Sequence, residues 1–122
     1  MKRCLIVDDS HVVRKIARKI IEELEFSADE AEDGCVALDK CQSNMPDAVL
    51  LDWNMPNMNG LEFLQKLRGL SGVNQPIVVF CTTENDLSHI QIALEHGADE
   101  YIMKPFDSDI VREKFKEVGL VD

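Results

Sequence analysis

Apolar and polar positions alternate between two rhythms along this chain. Residues 3–7, RCLIV, form a short, almost continuous apolar run, the pattern of a buried strand. From 12 to 24 the period changes. Val13, Ile16, Ala17, Ile20, Ile21 and Leu24 recur at helical spacing, with Arg14, Lys15, Arg18 and Lys19 between them. Ser10 stands where an N-cap belongs. Residues 27–31, SADEA, have poor strand propensity and predict an edge strand. A short helix is expected after Gly34, over 35–42, with Pro46 closing the connection.

The second half repeats the scheme. AVLL at 48–51 is a third strand, continuous rather than alternating, as in parallel sheets covered on both faces. WNMPNMNG at 53–60 is rich in turn formers. A helix over 61–68 sets Leu61, Leu64 and Leu67 on one side. IVVFC at 77–81 is the strongest strand signal in the chain. The spacing predicts a helix over 86–96 with Leu87, Ile90 and Leu94 inward, and Gly97 as its C′ residue. A fifth strand is expected at 99–103, DEYIM, and a last helix at 107–118 with Ile110, Val111, Phe115 and Val118 available to pack.

Five strand–helix units with short connections predict an α/β fold: an open parallel sheet with helices on both faces. The 122 residues suit one domain over 1–122, and no linker, low-complexity tail or further repeat is visible. Hydrophobic residues at 45% and charged residues at 30% are an ordinary soluble balance. The formal net charge of -10, from 23 acidic and 13 basic residues, argues against sequence-independent nucleic-acid binding, which depends on neutralising phosphates. No apolar run approaches the roughly 20 residues of a membrane span, and MKRCLIVDDS lacks the features of a signal peptide. A cytoplasmic location without membrane insertion is therefore expected. Cys4, Cys35, Cys41 and Cys81 include no CxxC pair; Cys4 and Cys81 lie in apolar runs and read as small core residues, and a Cys35–Cys41 metal site would need distant ligands.

The chemistry-bearing residues collect at predicted strand ends. Asp8 and Asp9 end the first strand, Asp52 the third and Thr82 the fourth, and Lys104 follows the fifth. In a parallel sheet these positions share the carboxyl edge, where open α/β folds place their ligands. Three carboxylates at one edge repel each other and stay ionised more easily around a cation. Oxygen donors, with no nearby histidine or cysteine, point to Mg²⁺ rather than zinc. Lys104 supplies a mobile positive charge, and the Thr82 hydroxyl can donate a hydrogen bond to an added phosphoryl oxygen. Blander readings are a solvated lysine, a helix cap at Thr82, and solvated or capping aspartates. His89 and His96 read as exposed surface residues, Met55, Met58 and Met103 as loop and core filling, and Trp53 as part of the site's rim and a fluorescence probe.

LIVDDS at 5–10, LLDWNMPNMNG at 50–60, FCTTEND at 80–86 and GADEYIMKPF at 97–106 together resemble the bacterial response-regulator receiver family, in its stand-alone, CheY-like form. The resemblance spans essentially the whole chain. It implies a flavodoxin-like (βα)5 three-layer sandwich with parallel strand order 2-1-3-4-5. It implies Asp52 as phosphoacceptor. Mg²⁺ would be held by Asp9 and Asp52, with Asp8 helping directly or through water and the Asn54 backbone carbonyl completing the protein ligands. Lys104 would pair with the phosphoryl group, with the Thr83 backbone amide beside it. Thr82 and Tyr101 would form the switch, half-buried packing being the plainer role for Tyr101. Pro105 would follow a cis peptide. Asn54 and Glu84 match residue types common at those positions, whereas Thr83 departs from the usual small residue and would narrow access to the site.

The implied function is a phosphorylation-activated switch in a two-component system. Self-phosphorylation from phosphodonors and self-dephosphorylation would depend on Mg²⁺ without classical enzymatic turnover. The implied partners are a sensor histidine kinase or histidine phosphotransfer protein and a downstream output protein, with the flagellar switch and chemotaxis the first choice. A phosphorelay intermediate or another signalling adaptor is the alternative. The chain would act as a monomer or weak dimer. An aspartate-nucleophile phosphatase fits less well: it usually carries Asp-x-Asp and a cap domain, whereas Asn54 stands two residues after Asp52. A degenerate receiver acting only as a scaffold would require loss of an acidic residue or the lysine, and none is lost.

Overall fold

The computed structural model describes residues 1–83 and 87–122. Five strands and five helices alternate as β1 (Arg3–Val7), α1 (His11–Glu23), β2 (Ser27–Ala31), α2 (Gly34–Ser43), β3 (Ala48–Asp52), α3 (Gly60–Arg68), β4 (Ile77–Thr83), α4 (Leu87–Glu95), β5 (Glu100–Lys104) and α5 (Ser108–Glu117). The strands pair in parallel in the order β2-β1-β3-β4-β5. The fold is the flavodoxin-like sandwich that the sequence implies.

Successive strand side chains go to opposite faces, so each strand contributes to two cores. Cys4, Ile6, Ala48, Leu50, Val79 and Cys81 pack with Ala17, Ile20 and Ile21 of α1 and Val111 and Phe115 of α5. Leu5, Val7, Val49, Leu51, Val78 and Phe80 pack with Ala37 and Cys41 of α2, Phe63, Leu64 and Leu67 of α3, and Ile90 and Ala93 of α4. Both faces are thus covered, which explains the unbroken apolar runs of the central strands. β2 is the edge strand expected of SADEA. Cys4 and Cys81 are buried as expected, and Cys41 is buried with them while Cys35 is exposed. Burial pushes the Cys81 thiol up to about 12 and that of Cys41 up to about 11.

The helix ends are capped, at Ser10 and Gly97 as expected and at further positions for which no cap was expected. Ser10 caps α1, its hydroxyl accepting from the Val13 amide at 3.3 Å. Asp33 caps α2 and Asp107 caps α5. Asn59 and Glu62 form a capping box at α3. Gly97, just beyond α4, has φ +107°, a conformation glycine supplies without a Cβ penalty.

Several residues expected in the core are not there. Ile16 on α1, Leu87 and Leu94 on α4, and Ile110 on α5 are exposed, and Met103 on β5 is more than one-third exposed rather than core filling. These helices carry more apolar residues than their buried stripes can use. On α4 the inward stripe is Ile90 and Ala93, because a small alanine lets the helix sit close to the sheet while the flanking leucines face outward. Phe63, absent from the expected α3 stripe, is completely buried. No helix among the described residues is long and apolar enough to cross a membrane.

Candidate functional site

The strand order reverses between β1 and β3, and the crevice at their carboxyl ends is where α/β sheets accept ligands. Val7 pairs with Leu51, so the residues that follow, Asp8 and Asp52, emerge side by side. Asp52 is the last residue of β3, and Lys104 is the last of β5 rather than following it. Thr82 lies within β4, which runs on to Thr83, so its helix-cap reading is lost.

Asp8, Asp9 and Asp52 each offer a carboxylate oxygen, and these atoms all lie within 4.8 Å of one another. Asp8 is buried, Asp52 half-buried and Asp9 exposed. Lys104 Nζ donates to Asp8 Oδ2 at 2.8 Å and to Asp52 Oδ1 at 3.2 Å. Burial pushes the Asp52 carboxyl above its ordinary range; Asp8 adds to the rise and Lys104 only partly opposes it. Burial alone would lower the Lys104 ammonium, but the hydrogen bond to Asp8 and the charge of Asp52 outweigh it and the net shift is upward. One ammonium shared by two carboxylates leaves negative charge over. The donor set is wholly oxygen, and the cluster therefore fits a hard divalent cation.

The turn carrying Asp8 and Asp9 is braced on several sides. The Asp8 amide donates to the Ala31 carbonyl at 3.1 Å. The Ser10 amide donates to Asp8 Oδ1 at 2.8 Å, and Arg14 Nη1 donates to the Asp8 carbonyl at 2.6 Å. Arg14 Nε also donates to Glu30 Oε1 at 3.0 Å, and Arg18 Nε donates to Glu30 Oε2 at 2.7 Å. Their hydrogen bonds, that of Arg18 foremost, hold the Glu30 carboxyl below its usual value despite partial burial.

The loop after β3 is braced too. Gly60 donates its amide to the Trp53 carbonyl at 2.8 Å, and a Cβ at Gly60 would overlap the Asp52 carbonyl oxygen. Asn57, at φ +67°, donates to Asp33 Oδ2 at 2.7 Å, and the Gly34 amide donates to the Met58 carbonyl at 3.0 Å. Asn54 is exposed on this loop. Asp33, Arg14 and Glu30 had no part in the expected site. Asp33–Gly34 ahead of a helix is a readable capping signal, whereas the bonds of Arg14 to Asp8 and Glu30 depend on where β2 lies.

The remaining expected residues surround the cluster. Thr82 is buried beside it in sheet order, its hydroxyl donating to the Thr83 carbonyl at 3.3 Å. Tyr101 is half-buried, paired in register with Phe80, with Lys114 Nζ 4.8 Å from its ring centre. The Lys104–Pro105 peptide is cis, as expected. An apolar recess of about 360 Å³ opens beside Lys104, lined by Val13, Ile16, Thr83, Pro105 and Phe106. His96 is exposed as expected, but His89 is half-buried and stacks on Trp53. Glu84 lies outside the described residues.

Comparison with known proteins agrees with this geometry. The response regulator receiver domain profile matches residues 4–116. Chemotaxis protein CheY1 of Helicobacter pylori is 36% identical over 118 residues, covering 95% of each chain. A chemotaxis protein CheY homolog of Campylobacter jejuni is also 36% identical, over 95% of this chain and 91% of its own. Among solved structures, Vibrio cholerae chemotaxis protein CheY4 superposes with a TM-score of 0.88 at 30% identity, over 97% of this chain and 98% of that one.

Proposed function

This chain belongs to the response regulator receiver family, and from that premise we propose that it is a chemotaxis switch, set by transfer of a phosphoryl group from a histidine kinase to Asp52. The observation that carries the reading is the meeting of Asp8, Asp9 and Asp52 with Lys104 at one sheet edge.

In this reading a carboxylate oxygen of Asp52 attacks phosphorus. The P–O bond to Asp52 forms as the P–N bond of the donor phosphohistidine breaks, and the electron pair of that bond stays on the imidazole nitrogen. Asp8, Asp9 and Asp52, with the Asn54 carbonyl, would hold Mg²⁺, which offsets the negative charge of the phosphoryl oxygens when bound. Lys104 moves from its carboxylate partners to a phosphoryl oxygen. The apolar recess beside Lys104 offers a seat for the donor protein.

The new acceptor oxygens then draw the Thr82 hydroxyl and the Thr83 amide. Inward movement of Thr82 vacates space for Tyr101 and biases a two-state equilibrium. The face that changes is that of α4, β5 and α5, where Leu87, Leu94, Met103 and Ile110 are exposed. Exposed apolar side chains at this end suit an output protein, the flagellar switch in the chemotaxis reading.

The test is phosphorylation by acetyl phosphate with Mg²⁺, followed by intact-mass spectrometry. One added phosphoryl group is expected. Asp52→Asn, or chelation of the metal, should abolish it or reduce it sharply. Full yield from Asp52→Asn would overturn the assignment.

A further inference from the structure

Trp53 links two parts of the molecule that the reaction keeps separate. Its backbone belongs to the phosphoacceptor. Trp53 follows Asp52 directly in the chain, and its carbonyl accepts from the Gly60 amide at 2.8 Å. Its side chain belongs to the packing between β4 and α4. The indole meets the buried Phe80 ring edge-on, with centroids 5.4 Å apart and planes at 68°. It lies flat on the His89 imidazole, with centroids 4.1 Å apart and planes at 4°. His89 is one residue from Ile90, which seats α4 in the core. A displacement of α4 must therefore either drag the indole or slide off it.

We infer that His89 is a positioning residue for phosphorylation, holding Trp53 against Phe80 so that the backbone joining Trp53 to Asp52 stays in place. The inference rests on Asp52 being the phosphoacceptor. Parallel stacking of flat rings contributes through contact area and geometry, and a flat ring at position 89 supplies both. A small loss of alignment at a nucleophile is costly, because correct placement of the reacting atoms supplies much of the rate. The stack also transmits in reverse: whatever binds α4 and shifts it alters the alignment of Asp52.

Trp53 is the sole tryptophan, so its fluorescence reports the stack directly. The experiment compares parent, His89→Ala and His89→Phe for Trp53 emission, acrylamide quenching and the rate of phosphorylation by acetyl phosphate with Mg²⁺. His89→Ala should shift the emission to the red, raise quenching about twofold and slow phosphorylation about threefold. His89→Phe keeps a flat ring and should restore both signals. Trp53→Leu approaches the contact from the other side and should slow the reaction similarly; adding His89→Ala to it should then change the rate by less than about 1.5-fold. Parent-like fluorescence and rate in His89→Ala overturn the proposal, as does an undiminished effect of His89→Ala in the Trp53→Leu background. Thermal melts confirm that each variant is folded. Full phosphorylation of Asp52→Asn would remove the phosphoacceptor itself. An inert Asp52→Asn beside a parent-like His89→Ala removes only the role of the stack.

Discussion

The two halves of the sheet's carboxyl edge are built differently. On the side of β1, β2 and β3 the backbone is tied down by polar groups: Arg14 holds the Asp8 carbonyl, Glu30 holds Arg14 and Arg18, and Asn57 reaches Asp33. On the side of β4 and β5, Lys104 reaches across to Asp8 and Asp52, and further polar anchors among the described residues sit at the opposite edge. There Arg68 Nη2 donates to the Gly97 carbonyl at 2.7 Å, and Asp99 Oδ2 accepts from the Val78 amide at 2.8 Å. Toward the carboxyl end, the described residues of that side include the exposed apolar Leu87, Met103 and Ile110. The difference separates two tasks. Phosphoryl transfer needs carboxylates fixed in advance, whereas a relay needs an element whose packing has alternatives.

The sharpest way to break the comparison is to force the braced side apart. At Gly60, adding a Cβ meets the Asp52 carbonyl, and backbone cannot step aside by changing rotamer. Gly60→Ala should cost about 3 kcal/mol in urea denaturation and slow phosphorylation with it. A parent-like midpoint would mean that the loop after β3 gives way as readily as the side of β4 and β5.

A smaller effect is expected at Glu30, where the bracing is ionic. The side chain is 27% exposed and accepts from both Arg14 and Arg18. Glu30→Gln should cost about 1–1.5 kcal/mol near neutral pH. The carboxyl is held below its ordinary value of 4.5, so its stabilising contribution is complete above that pH and is lost as pH falls through the lower folded-state value. The stability gap between parent and variant should therefore narrow on acidification below about 4.5. Denaturation curves at a series of pH values check this. A gap that widened with acid would place the stabilisation elsewhere than in the charge.

The strands of the sheet were more legible in sequence than the helices packed on it. The unbroken runs at 3–7, 48–51 and 77–81 mark strands covered on both faces, and they bring Asp8, Asp52 and Thr82 to one edge by counting alone. Lys104 joins them by the same count, one residue off in strand assignment. Helix α4 was misread where periodicity carries least information. Leu87 and Leu94 outweigh Ala93 on any hydrophobic scale, yet the sheet accepts the alanine because close approach matters more than side-chain size. The Trp53–His89 stack joins distant parts of the chain and has no local pattern to announce it.

The smallest stability effect should come from the misread residues. Leu94 is 42% exposed on α4, and glutamine matches its helix propensity closely, so Leu94→Gln removes apolar surface without disturbing the helix. Its cost should stay below about 1 kcal/mol, since much of the side chain is already in water. Phosphorylation by acetyl phosphate should proceed at the parent rate, because Leu94 belongs to neither the carboxylate cluster nor its bracing. Urea denaturation and the phosphorylation rate are the two measurements. A cost near that of Gly60→Ala would make Leu94 part of the core after all. A slowed reaction at parent stability would instead show that the coupling of α4 to Asp52 extends beyond the Trp53–His89 stack to the outer face of the helix.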